Sequence, residues 1–278
     1  LAEEYQRFMK VTDIFPLHGV GMTTARDNFV IDRDKNGLVN RIRLFKNSKY
    51  SDEELHTFFQ IRKKKGWSIR KAWNMLQKIP DEDLEKEVLP VLYRPFDIQW
   101  IFYHDAIVWR TVKRVMRHMM RENLGLISVR QVAEGIFNHA FVTTCIVESR
   151  ITLSNKGIGI VFPLYLYPES EDEQTRIHPE TERQSNLNLD VVRFLTEKYG
   201  VKPSPEEIFY YIYAVLYSNT YRTRYAEFLK IDFPRVPFPD DYQSFLNLNK
   251  LGKRLVDLHL LKSEEPGNSC VKFQGTGE

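Results

Sequence analysis

Between positions 110 and 121 stand Arg110, Lys113, Arg114, Arg117 and Arg121, cations at close to helical spacing with Glu122 beside them. Like charges on one face repel, so such a stripe costs stability unless an external anion shares the surface. A polyanion such as nucleic acid suits that pattern better than a bare solvated face. Just downstream come Ser128, Arg130 and Gln131 at a predicted strand end. Guanidinium and amide groups can each make paired hydrogen bonds to the edges of guanine and adenine. A third group, Tyr221, Arg222, Arg224 and Tyr225, follows a Ser218-Asn219-Thr220 break and sets guanidiniums among aromatic rings. These residues are candidate contacts to a nucleic-acid backbone, against the plainer reading of a surface turn.

Catalytic signatures are missing from the sequence. It holds no His-Glu-x-x-His helix, no clustered Cys and His ligands, no Gly-x-Ser-x-Gly elbow, no Walker loop and no kinase set. Gly19-Val20-Gly21-Met22-Thr23-Thr24-Ala25-Arg26-Asp27 lacks the Gly-Lys-Ser/Thr end of a phosphate loop and reads as a connector. The acids of 169–182 could gather a hard cation, but their loop-like setting makes a nuclease centre the weaker reading. His104, Asp105 and His118 read as structural or phosphate-facing groups. The expectation is a chain with no catalytic residue, no metal and no cofactor of its own.

The chain has 278 residues, with 42% apolar and 13% aromatic content, enough for one large core or two ordinary ones. A net charge of +3 does not announce nucleic acid by itself, so the distribution of charge carries that argument. The cysteines, Cys145 and Cys270, match no zinc or redox spacing, and a reducing, cytoplasmic setting is expected. No apolar run is long enough to span a bilayer, and no membrane partner is expected. The chain opens on Leu1 inside a helical pattern, which suggests a piece of a longer protein.

The elements that must hold these candidates read as α+β: a β-rich recognition core with an inserted basic helix, followed by a helical subdomain. Residues 1–50 read as a connector plus a hairpin around Asp34-Lys35-Asn36-Gly37. Residues 51–90 read as charged helices, capped at Ser51 and broken at Gly66 and Pro80. The run Arg62, Lys63, Lys64, Lys65 within them reads as a solvated face. The β-rich core covers 91–167 and contains the basic helix at 110–122. Residues 168–185 read as a flexible acidic loop, 186–262 as helices at about 188–199, 205–218, 221–230 and 241–262, and 263–278 as a disordered tail. Gly252 is expected to interrupt the last helix. Phe233-Pro234-Arg235-Val236-Pro237-Phe238-Pro239 forms a rigid exit from the helical stretch before it.

Several blocks together resemble one family. They are Asp13-Ile14-Phe15-Pro16 with Gly21-Met22-Thr23-Thr24-Ala25-Arg26-Asp27, then Tyr93-Arg94-Pro95-Phe96-Asp97, then Phe162-Pro163-Leu164-Tyr165-Leu166-Tyr167, then 211–239. In this order they are similar to the C-terminal part of type ISP and related restriction-modification enzymes, which fuse nuclease, helicase and adenine-N6 methyltransferase to a target recognition domain. One departure stands at Gln99, where the family commonly carries a basic residue. The resemblance implies sequence-specific recognition of double-stranded DNA, with Arg94, at the start of the recognition core, as a DNA contact and the preceding methyltransferase domain as a partner. It implies S-adenosylmethionine in the parent, with ATP and Mg2+ also expected there. A metal-dependent nuclease fragment and a helical protein-interaction scaffold are the rival readings.

Overall fold

The computed structural model describes residues 1–132, 134–152, 157–168 and 183–263, a mixed α and β fold. Helix α1 (Ala2–Gln6) leads through strand β1 (Met9–Lys10), α2 (Val11–Ile14), β2 (Gly19–Val20), α3 (Asp27–Val30) and β3 (Ile31–Asp32). Helices α4 (Lys35–Asn47), α5 (Asp52–Phe58) and α6 (Ile69–Leu76) precede the hairpin of β4 (Val88–Arg94) and β5 (Asp97–Phe102). A short helix α7 (Lys113–Met116) comes next, then β6 (Gly125–Ser128), β7 (Ala140–Thr143) and β8 (Ile146–Val147). Strands β9 (Ile160–Pro163), β10 (Tyr165–Leu166) and β11 (Gln184–Ser185) complete this part. Helices α8 (Leu189–Tyr199), α9 (Pro205–Tyr217), α10 (Asn219–Arg224), α11 (Ala226–Ile231) and α12 (Tyr242–His259) make up the rest, with β12 (Arg235–Val236) before the last.

One sheet organises the molecule. Its strands run in the order β2-β9-β6-β7, all antiparallel, with Leu126 opposite Phe162 and Val142, and Ile127 opposite Val161 and Phe141. Side chains alternate across a strand, so these two sets point to opposite faces. Ile127 and Val161 join a core with Met22, Phe29, Phe45, Phe102 and Met116. Leu126, Val142 and Phe162 join a second core with Phe15, Phe209, Ile212 and Phe245. Covered on both sides, β6 is buried along its whole length. That explains why its sequence is a short apolar run rather than an alternating one. A second sheet, ordered β3-β5-β4-β8 with a parallel β4–β8 pair, belongs to the first core.

Helix α9 is the centre of the second core. Ser204 and Glu207 form a capping box, and Pro205 occupies the first turn, where its missing N–H costs nothing. Residues from Ile208 to Leu216 are buried on nearly every side, apart from the half-buried Tyr210. Such an all-round apolar helix must be enclosed, and α10, α12, β7 and β12 enclose it. The proline exit is tied down by hydroxyls: Tyr211 donates to the Pro237 carbonyl at 2.5 Å and Tyr221 to the Arg235 carbonyl at 2.6 Å.

Some expectations are corrected. Asp34-Lys35-Asn36-Gly37 is no hairpin turn; the Asp34 carboxylate accepts from the Asn36 and Gly37 amides at 3.0 Å and caps α4. Leu38, Ile42 and Phe45 then repeat at helical spacing and are buried. Residues 1–12, whose pattern reads as one short amphipathic helix, are helical only to Gln6 before β1, which pairs with β12, and the start of α2. The predicted helix at 221–230 breaks at Tyr225, whereas α12 runs through Gly252 without interruption. The expected acidic loop and tail lie for the most part outside the described residues.

Candidate nucleic-acid interface

The basic stretch is shorter as a helix than its spacing predicts. Val112 takes a left-handed backbone (φ +51°), α7 covers only Lys113–Met116, and a tighter 3-10 turn carries Arg117–Met120. Burial of Val115, Met116 and Met119 explains its course. Val115 packs at Gly19 of β2 and Met119 at Gly125 of β6, so the segment crosses one face of the central sheet like a strap. Its cations face away from that apolar floor. Arg110, Lys113 and Arg114 are exposed, and Arg117 and Arg121 are partly so. Lys113 pairs with Asp105. Arg114 instead donates to the neutral His18 carbonyl at 2.9 Å, and Arg121 lies 5.1 Å from the Tyr167 ring centre. Asp105 is the acid partner the strap keeps for Lys113, and Arg110 and Arg114 retain their charge toward solvent.

Arg130 and Gln131 leave the end of β6 and start the connection to β7. Arg130 is 70% exposed and reaches Asp232 at 3.5 Å; Gln131 makes a 3.5 Å contact to the Ile231 carbonyl. Both side chains are therefore loosely held just beyond a rigidly buried strand, a suitable arrangement for reading an external edge. Ser128 is corrected: it is 0% exposed within β6, where its hydroxyl cannot reach a ligand.

The third group is mostly architectural. Tyr221 is 6% exposed, with its hydroxyl on the Arg235 carbonyl, which removes it as a DNA contact. Arg222 donates to the Leu216 carbonyl at 2.5 Å and lies 4.4 Å over the Tyr217 ring. Arg224 grips both carboxylate oxygens of Glu4 at 2.8 and 3.0 Å. That last pair is exposed, and exposed pairs are weak, so Arg224 is the member of the group free to exchange partners.

Arg94 is likewise turned inward. Its guanidinium meets Glu148 at 3.0 Å, and that carboxylate is only 4% exposed. Beside this pair Tyr93 donates to Asp27 at 2.8 Å, and Thr24 donates to the same carboxylate. Burial pushes the Tyr93 hydroxyl up to about 12 and raises the Glu148 carboxyl. The two blocks 21–27 and 93–97 thus meet as one polar joint, a role that sequence reading of Arg94 missed. The charged character of both blocks, in a fold that otherwise buries apolar residues, was the available signal.

His118 points to the buried side of the strap, 1% exposed, accepting at Nδ1 from the Tyr167 amide at 2.9 Å. Burial, with Arg117 nearby, lowers its pKa to about 4. The folded chain therefore refuses a proton that the unfolded chain accepts below its ordinary value of about 6.5. Stability tied to His118 is complete at neutral pH and is lost as pH falls from about 6.5 to about 4, at about 1.4 kcal/mol per pH unit and about 3 kcal/mol in all. Urea unfolding of the wild type and of His118→Gln from about pH 7 to about pH 5 checks this. The gap between the two should change in the variant's favour on acidification; parallel profiles would refute it.

Among the described residues no group of His, Cys, Asp and Glu could hold a metal ion, and no helix is long and apolar enough to cross a membrane. No curated protein matches the chain. Similar solved structures are DrdV in complex with DNA (TM-score 0.65, 24% identity), a nuclease-deletion mutant of the Type ISP restriction-modification enzyme LlaGI with a DNA substrate mimic (0.59, 19%), and the ATP-dependent Type ISP enzyme LlaBIII bound to DNA (0.60, 17%). The matches cover 88%, 92% and 92% of this chain but 23%, 23% and 17% of those chains, so it spans less than a quarter of each. They share the fold described above. The family described as the Type ISP C-terminal specificity domain matches residues 13–278. The chain belongs to that family of specificity domains.

Proposed function

We propose that this chain reads a sequence in double-stranded DNA for a restriction-modification enzyme and positions that site for catalytic domains elsewhere in the parent chain. The observation that carries the reading is the specificity-domain match across 13–278. It is supported by relatives of the same fold that were solved with DNA. The surface suits the task, because DNA recognition divides into phosphate contacts that set register and base contacts that set sequence. The strap's Arg110, Arg114, Arg117 and Arg121 serve as phosphate contacts, with Lys113 released from Asp105 on binding. Arg130 and Gln131 serve as the base readers, and Arg224 as an outlying backbone contact. The parent carries adenine-N6 methylation with S-adenosylmethionine, uses ATP and Mg2+ for its remaining activities, and works in the cytoplasm.

The test compares substitutions on cognate and random duplexes. Arg114→Ala should weaken binding to both equally and flatten the salt dependence by about one unit of log-log slope. Arg130→Ala or Gln131→Ala should lower the preference for the cognate site by roughly 1–3 kcal/mol at one base position. Equal effects of all these variants on both duplexes would overturn the division of roles.

A further inference from the structure

We propose that the loop at 62–67, together with Trp109, forms a second phosphate-contact surface that engages the DNA backbone beside the strap. The proposal rests on the DNA-reading function above and extends its surface to residues that sequence reading takes for a solvated helical face. The loop is not helical; it joins α5 to α6 and leaves Arg62, Lys63, Lys64 and Lys65 exposed.

The loop is held in place by aromatic anchors. Trp67 donates its indole N–H to the Ala106 carbonyl at 3.0 Å, and the buried Arg26 guanidinium lies 3.6 Å from the Trp67 ring centre. The Lys64 ammonium sits 4.2 Å over the Trp109 ring. Trp109 directly precedes Arg110, where the strap's cations begin, and the Arg110 backbone is itself paired to Thr23. The Lys64 contact thus brings a basic run far away in sequence to Trp109, one residue before the strap's first cation.

Charge balance favours an external anion on it. Glu53 pairs with Lys63 at 2.5 Å, and Asp52 pairs with Arg70 at 2.7 Å. Arg62 and Lys65 have no carboxylate partner among the described residues, and Lys64 has only the neutral Trp109 ring. A run of exposed cations fixed by packing loses less freedom on binding than one on a loose loop, and a phosphodiester backbone supplies anions at regular spacing. Backbone contacts carry no sequence information, so this surface adds affinity and register, not discrimination.

The test uses the full chain with random and cognate duplexes, measuring binding against KCl for the wild type, for the triple variant Arg62→Ala/Lys64→Ala/Lys65→Ala, and for the strap double Arg110→Ala/Arg114→Ala. Thermal melts confirm that each variant is folded. The triple variant should lose about three units of log-log salt slope, about one per cation removed, while its preference for cognate over random DNA stays unchanged. An unchanged slope in the triple variant, beside a reduced one in the strap double, would overturn the loop assignment alone. Loss of discrimination in the triple variant would also overturn it, since the loop would then read bases. A wild-type slope near zero would instead overturn the DNA-reading function on which the proposal rests.

Discussion

Gly252→Ala should destabilise the chain by about 3 kcal/mol or more, the largest effect expected from any change of a single hydrogen to a methyl group. A Cβ at this position would stand 1.8 Å from the Tyr210 carbonyl oxygen and 2.6 Å from its carbon. Both are backbone atoms of α9, so no rotamer change relieves the clash and the two helices must move apart. Helix propensity acts the other way, because alanine inside a helix is better than glycine by about 1 kcal/mol. The clash wins, since separating α9 from α12 loosens the core that Phe209, Ile212, Phe245 and Val256 share. Denaturant unfolding of Gly252→Ala beside the exposed α12 control Lys253→Ala checks this. The control should stay within about 0.5 kcal/mol of wild type. A Gly252→Ala chain as stable as wild type would show that the helices do not meet this closely.

Arg94→Ala should cost about 3–5 kcal/mol, because it strands a carboxylate in the interior. Glu148 is 4% exposed, and its remaining partners are the Ser149 hydroxyl at 3.2 Å and the Arg150 amide at 2.8 Å. Burial already raises its carboxyl, with Arg94 among the groups that pull it back. Without Arg94 the folded value rises further above the unfolded one. A raised carboxyl favours the native state at low pH, where it is protonated, and penalises it as pH rises through the folded value. The deficit of Arg94→Ala should therefore be small in acid and full at neutral pH. The double variant Arg94→Met/Glu148→Leu, which removes both charges, should recover most of the loss. If Arg94→Ala keeps its stability but loses DNA affinity, Arg94 belongs at the interface after all.

What the sequence makes legible follows from how local each determinant is. The capped helices and α9 are local, and Ser51, Ser204 and the apolar run from Ile208 mark them directly. The strands of the central sheet are legible as strands, but its burial on both faces depends on which segments pack over it. Composition alone does not reveal that. Asp34-Lys35-Asn36-Gly37 suits both a hairpin turn and a helix cap, and the helical repeat of Leu38, Ile42 and Phe45 decides for the cap. Gly252 reads as a break because its value lies in a helix contact 42 positions away in sequence, at Tyr210.

The candidate site divides along the same line. The strap's cations are legible because charge spacing is a local property and their solvent-facing side follows from the apolar side beneath. Arg94, Ser128 and Tyr221 look alike in sequence to residues that face outward, yet each is claimed by a partner or by burial from distant segments. The joining of Lys64 to Trp109 is equally non-local.

Whether this domain reads sequence is tested most directly by sequencing the duplexes that the chain retains from a fully randomised pool at low and at raised KCl. One short motif should be enriched. The enrichment should sharpen as salt weakens the phosphate contributions that all sequences share, and it should relax at one position in Arg130→Ala or Gln131→Ala. A retained pool with no enriched motif at either salt concentration would contradict sequence reading by this domain.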